Sequence, residues 1–188
     1  MEGFKLKIAD WRFVVGLFLG NGIGDFEVNN KMALIELKTL ILAPPSRVFD
    51  LARSIDAHVV SASQTGERPV DGRKSGLMRK GETVTWEATH FRVRQRLTVK
   101  MFQLERPVMF EDEMLTGPFA SMCHRHDFKE LDIGTLMTDR FEFMAPMGIL
   151  GRIAESLFLT NYVKAFLIKR NEELKKMAES DRWKEFLA

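Results

Sequence analysis

Several things are scarce in this 188-residue chain, and each scarcity excludes something. There is one cysteine, Cys123, so no disulfide can form within the chain, which excludes the small cross-linked scaffolds of secreted proteins and makes a reducing cytoplasm the expected setting. There is no excess of charge of one sign: 28 Lys and Arg against 26 Asp and Glu leave a formal net of +2, too little for a global field that draws in nucleic acid or an anionic membrane. There is no long apolar run. The nearest, Trp11 to Leu19 after Lys5, Lys7 and Arg12, is too short and interrupted to span a bilayer. It leads into the turn cluster Gly20 to Asp25 rather than an A-x-A cleavage pattern, so an export signal is not expected. No repeat of fixed longer period and no low-complexity segment occurs. What is present, 45% hydrophobic and 29% charged residues, suits one globular domain with a substantial core.

The regular pattern starts at Ala33. Glu27-Val28 can be encoded by a purine-rich GAGGTG a few codons before Met32, where a bacterial ribosome-binding site would lie. Residues 1–31 therefore read as an N-terminal extension, either a read-through outside the native protein or a segment in which Asp10 to Leu19 forms a short helix or strand packed on the domain surface, and residues 32–188 as a single domain.

Leu34 to Leu42 reads as a strand, stopped by Ala43-Pro44-Pro45 because proline cannot donate to a ladder. A short helix follows, carrying Val48, Phe49, Leu51 and Ala52 at helical spacing, with Ser46 placed to cap it. Residues up to Lys80 are loosely patterned around Gly66, Pro69 and Gly72. Five strand-like runs come next: Glu82 to Ala88, Phe91 to Leu104, Val108 to Thr116, Phe119 to Leu131 and Thr135 to Met144. Their short connections, beginning with Thr89-His90, predict an antiparallel meander. Ile149 to Met177 is free of proline and reads as one long helix. Its first half is apolar nearly all round and must be surrounded, whereas Lys169, Arg170, Asn171, Glu172 and Glu173 predict an end projecting into water. Ser180-Asp181 is placed to restart a short final turn with Trp183 and Phe186.

The economical packing of these elements is a curved antiparallel sheet wrapped around the long helix, an α+β arrangement. The residues then become familiar: Ala43-Pro44-Pro45 with Val48-Phe49, Ser75-Gly76-Leu77, Gly81 through Trp86, His90-Phe91 with Val93-Arg94-Gln95, Phe110 with Asp112-Glu113-Met114, Gly117-Pro118-Phe119, His124 with His126 and Phe128, Gly134-Thr135 with Thr138-Asp139, and Pro146 with Gly148 and Gly151. In this order the chain resembles the START-like (SRPBCC) helix-grip superfamily, specifically its small bacterial ligand-binding members related to polyketide cyclase/dehydrase-type domains. It departs from them in its leading extension and in Met122, where an aromatic residue is common. The resemblance implies a helix-grip fold with an internal cavity that holds apolar or amphipathic small molecules.

Alternation along the strands names the expected cavity lining independently. It comprises Val84 and Trp86, then Phe91, Val93, Gln95 and Leu97 with Val99 and Met101, then Phe110, Asp112 and Met114 with Val108. Met122, His124, His126 and Phe128 follow, then Met137, Asp139, Phe141 and Phe143, and Ile153 and Leu157 come from the helix. Arg92, Arg94, Arg96 and Lys100 then face outward. A Phe- and Met-rich wall with sparse polar groups suits a ligand pocket, though each such residue can equally be plain core.

His124 and His126, two apart on one strand, point the same way. With Asp112 or Asp139 they suit a two-His, one-carboxylate metal site, an acid/base pair, or a satisfied hydrogen-bond network. The network is the favoured reading, with no metal and no cofactor. Cys123 and Ser121 fall on the opposite face, and no nucleophile emerges. Pro146, Gly148 and Gly151 follow an antiparallel strand and read as the helix entry, not a dinucleotide loop. The basic residues lack interleaved aromatics and read as a solvated face, so no nucleic acid and no stable membrane insertion are expected.

Three functions follow. The first is a carrier or sensor for a lipid, aromatic or polyketide-like molecule. The second is a cyclase, dehydratase or hydrolase in which His124 or His126, with Asp139, moves a proton. The third is a protein-interaction domain with a filled cavity and an exposed apolar patch. The expected partner is an apolar small molecule; enzymatic activity and oligomeric state stay open.

Overall fold

The computed structural model describes residues 32–145 and 158–187. One seven-stranded sheet runs in the order β1-β7-β6-β5-β4-β3-β2, every neighbour antiparallel. The strands are β1 (Ala33–Ile41), β2 (Arg68–Gly72), β3 (Thr83–His90), β4 (Val93–Glu105), β5 (Met109–Thr116), β6 (Ser121–Leu131) and β7 (Gly134–Met144). The meander from β3 to β7 is as its short connections predict. β1 closes on β7 along its whole length, Ala33 opposite Phe143 through Ile41 opposite Thr135. At the turn into β7, Gly134 adopts φ 146°, and a Cβ there would stand 2.2 Å from the Ile41 carbonyl oxygen, so only glycine fits.

Two short helices link β1 to β2. Helix α1 (Pro45–Ala52) starts on Pro45 itself and has no side-chain cap. Ser46 therefore does not cap it; proline at the first helical position lacks the amide that a cap would satisfy. Val48, Phe49 and Leu51 face inward and are buried. Helix α2 (Ile55–Ser61) is capped by the Ser54 hydroxyl, which accepts from the Ala57 amide at 3.3 Å. The loosely patterned stretch thus contains a helix, a 3-10 turn (Ser63–Thr65) and the edge strand β2. These were illegible because α2 has only seven residues and because Pro69 and Gly72 argue against a strand anywhere but at an edge.

The β3–β4 connection also differs from the expectation. Phe91 and Arg92, not Thr89-His90, form the turn, both at positive φ (52° and 64°). Two such residues in a two-residue hairpin match the twist of the flanking strands, but neither is the Gly or Asn that would announce it.

Helix α3 (Thr160–Glu179) packs against β1, α1 and α2. The predicted helix entry with Pro146, Gly148 and Gly151, and the helical residues Ile153 and Leu157, lie outside the described residues. Beyond Ile168 the helix does not simply project into water: Arg170, Asn171, Leu174, Met177 and Ala178 are buried, continuing at helical spacing the stripe begun by Val163 and Leu167. A 3-10 turn (Asp181–Trp183), where the Ser180 hydroxyl accepts from the Arg182 amide, and helix α4 (Lys184–Leu187) follow as expected. Phe49, Ile41, Phe143, Met137, Leu167 and Met177 are among the largest fully buried side chains, so the core lies between α1, α3 and the β1–β7 end of the sheet. Among the described residues, no helix is long and apolar enough to cross a membrane.

Candidate functional site

Beside this core, between the same face of the sheet and α3, the packing opens into a cavity of about 130 Å³. A single water needs on the order of 10–15 Å³, so the space is about ten times larger. Trp86, Leu97, Val99, Met122 and Phe141 form the sheet wall, and Leu159, Val163, Phe166 and Leu167 the helix wall.

Polar side chains enter at a few points. His58 from α2 stacks on Trp86, with ring centroids 4.1 Å apart, and its Nε2 lies 2.9 Å from a Glu67 carboxylate oxygen. Burial works to raise the Glu67 carboxyl, but the adjacent His58 outweighs it and holds the group below its ordinary value. His90 Nδ1 and the Tyr162 hydroxyl are 2.8 Å apart. Burial pushes His90 down and Tyr162 up, so both favour the neutral form. Phe91, lifted by its turn, lies on Tyr162 with centroids 4.3 Å apart. Asp112 and His124, directly opposite each other on β5 and β6, and Arg170 from α3 complete the polar lining.

Behind His124 lies a cluster around Asp139, which is fully buried. One carboxylate oxygen is 3.1 Å from His124 Nε2, and the other accepts the Asn171 side-chain amide at 2.6 Å. His126 Nδ1 sits 2.7 Å from the first oxygen, yet its direction misses hydrogen-bond alignment and the nitrogen is without a partner; the contact is one of charge and dipole. Burial works to raise Asp139, but His126 and His124 hold it well below the usual carboxylate range. The same burial, reinforced by its neighbour His126, pushes His124 down to about 4, and burial lowers His126 as well. At neutral pH the cluster is one carboxylate between two neutral imidazoles. Asp139 is thus hydrogen-bonded to His124 and Asn171 and not to His126.

Among the described residues, one donor atom each from Asp112, His124 and His126 lie within 4.8 Å of one another, close enough to share a cation, and Glu111, Glu113 and Cys123 make a similar group on the other face. Burial holds the Cys123 thiol up at about 12, so it is neither an activated nucleophile nor a ready thiolate ligand.

The residues expected on the cavity wall divide into groups. Trp86, Phe91, Gln95, Leu97, Val99, Asp112, Met122, His124 and Phe141 line it. Val84, Phe110, Met137, Phe143, His126 and Asp139 face inward but are buried in the packing outside that lining. Met114 is half-buried beside Leu97 near Gly117. Val93 and Val108 are each 51% exposed, a correction to the inward assignment. Val93 only opens β4, straight after the turn, and Val108 precedes β5, so alternation does not govern either. Arg96, expected outside, is exposed but also touches the cavity. Sequence reasoning missed His58, Glu67, His90, Phe119, Tyr162 and Arg170. For Arg170 a signal existed, its place in the stripe from Val163 to Met177; for His58 and Glu67, around an unrecognised helix, none did.

No protein-family model matches the chain, and no curated protein does. Solved structures do. A protein of Thermus thermophilus superposes with a TM-score of 0.62 at 15% identity, over 78% of this chain and 99% of its own. A protein of Mycobacterium smegmatis does so with 0.59 at 15%, over 83% and 97%. Major latex-like protein 151 of Panax ginseng follows with 0.59 at 12%, over 78% and 97%. Identities this low speak for architecture alone, and the architecture is that of the START-like (SRPBCC) helix-grip fold, a curved seven-stranded sheet closed by a C-terminal helix.

Proposed function

We propose that the chain binds an apolar or amphipathic small molecule in the cavity between the sheet and α3, as a carrier or sensor in the cytoplasm. The observation that carries this reading is the cavity itself: apolar walls from Trp86 to Phe166 with a few separated polar side chains, in about 130 Å³ of space. Such a combination gives burial area plus orientation. Proton transfer by histidine has less support, since His126 does not line the cavity and His124, held at about 4, is too weak a base and is deprotonated at neutral pH. An interaction domain would fill this space with side chains. We place the container within residues 32–188, with residues 1–31 as an extension; limited proteolysis that trims the chain near Met32 and leaves binding intact is the matching result.

The test is native mass spectrometry of the full chain after gentle purification, followed by extraction, with Ala88→Phe as the blocked control, because Ala88 lines the cavity. A stoichiometric apolar adduct in the natural chain, absent from the variant, is the expected result. A clean mass with no thermal shift across an apolar ligand panel overturns the reading.

A further inference from the structure

Arg170 is an anomaly in this cavity. Its side chain rises from α3 into the apolar lining, and the residue is 9% exposed. A buried guanidinium carries five N–H donors and is costly without acceptors. Among the described residues, the nearest carboxylate oxygen, on Asp139, is 4.0 Å away, beyond hydrogen-bond reach. Asp139 is also committed elsewhere, to His124 and to Asn171 at 3.1 and 2.6 Å. Glu67, on the same cavity, is taken by His58 at 2.9 Å. Among the described residues the guanidinium thus has charge compensation at a distance, and its side chain borders the cavity.

Two further features point to what belongs there. Asp112 lines the same cavity, where burial raises its pKa against the opposing pull of His124 and Arg170, which eases its protonation and so weakens its repulsion of an anion. On the outer face of the sheet, Glu87 gathers Arg68, Arg94 and Arg96. Three cations on one anion leave an excess of positive charge, and Arg96 also touches the cavity, so the approach favours an anion.

We propose that the ligand is an apolar carboxylic acid, with its carboxylate docked on the Arg170 guanidinium and its apolar body against Trp86, Leu97, Met122 and Phe141. The planar fork matches a carboxylate bidentately, and the apolar walls exclude the water that would otherwise compete. This inference rests on the binding reading above and adds the chemistry of the ligand's head.

Calorimetric titration of the full chain with matched pairs tests it: 2-naphthaleneacetic acid against its methyl ester, and decanoic acid against methyl decanoate. The acid of at least one pair is expected to bind at least about ten-fold more tightly than its ester. In Arg170→Met that preference disappears while ester binding remains, and Arg170→Lys, which keeps the charge but not the fork, retains part of it. A measurement on the natural chain covers the case in which the variant does not fold. The Nε–Hε resonance of Arg170 is expected to shift with the preferred acid and to stay in place with its ester. Equal binding of acid and ester, or a resonance that ignores the acid, overturns the carboxylate assignment and leaves the container reading standing. Failure of every compound to bind overturns both.

Discussion

Asp139 and Glu87 each gather several nitrogen donors, one inside the sheet and one on its outer face, and the two clusters behave differently. Asp139 is fully buried, and its partners are two histidines and the amide of Asn171. Glu87 is itself 4% exposed, but the three arginine side chains that hold it are 61%, 64% and 67% exposed. Arg68 and Arg96 stand directly opposite Glu87 on β2 and β4, so cross-strand pairing alone assembles the outer cluster. Hydrogen bonds from Arg68, Arg94 and Arg96 hold the Glu87 carboxyl at about 2. Both carboxylates are strongly favoured in the charged form, yet water can replace the arginines around Glu87 and cannot reach Asp139. The value of such a cluster depends on what replaces it when one member is lost.

The largest effect is therefore expected from Asp139→Ala. It strands the donors of His124 and Asn171 and removes the carboxylate 4.0 Å from Arg170. Breaking a buried cluster of this kind costs about 3–5 kcal/mol, or roughly 10 °C in melting temperature for a chain of this size, measurable by calorimetry. A loss no larger than that of the matching Glu87 variant would erase the contrast.

Acid titration sharpens it. His124 has a folded value pushed down to about 4 against an ordinary imidazole near about 6.5, so between those values the unfolded chain binds the extra proton. Stability is then greatest above about pH 6.5 and falls as pH drops toward 4. His126, lowered in the same direction, adds to the fall. Chemical denaturation across this range should show the slope, and His124→Gln should flatten it. Glu87 acts lower: its contribution is present above the ordinary carboxylate value and is lost as pH falls toward about 2. A Glu87→Gln chain is expected to keep the His124 slope unchanged.

The smallest effect belongs to Glu87→Gln at neutral pH. Exposed ion pairs contribute little, so a change in melting temperature under about 3 °C is expected, shrinking further in about 0.5 M NaCl as screening tightens. A large, salt-independent loss would place Glu87 in the same class as Asp139.

Much of this was legible in the residues. On β6, alternation alone put Met122, His124, His126 and Phe128 on one face, and all four are at most 6% exposed. On β7 it did the same for Met137, Asp139, Phe141 and Phe143. It failed at the start of β4, where Phe91 and Arg92 turn at positive φ without a glycine, because the turn is dictated by the twist of the paired strands and not by local preference. It failed also at Arg170 and Asn171, whose charged and polar neighbours suggested a wet helix end. Helices α1 and α2 cover that end, and α2 was not recognised.

The sequence by itself determined the element order, the antiparallel meander and the inward face of each regular strand, because these depend on period-two and period-3.6 patterns that neighbouring residues carry. Tertiary structure alone decided which inward residues meet a partner and which meet a void. Phe143 and Phe141 share one face of β7, yet the first is packed in the core and the second borders the cavity. That difference depends on how far the sheet curves from α3 at each point, a distance set by the whole chain's packing and encoded in no single segment.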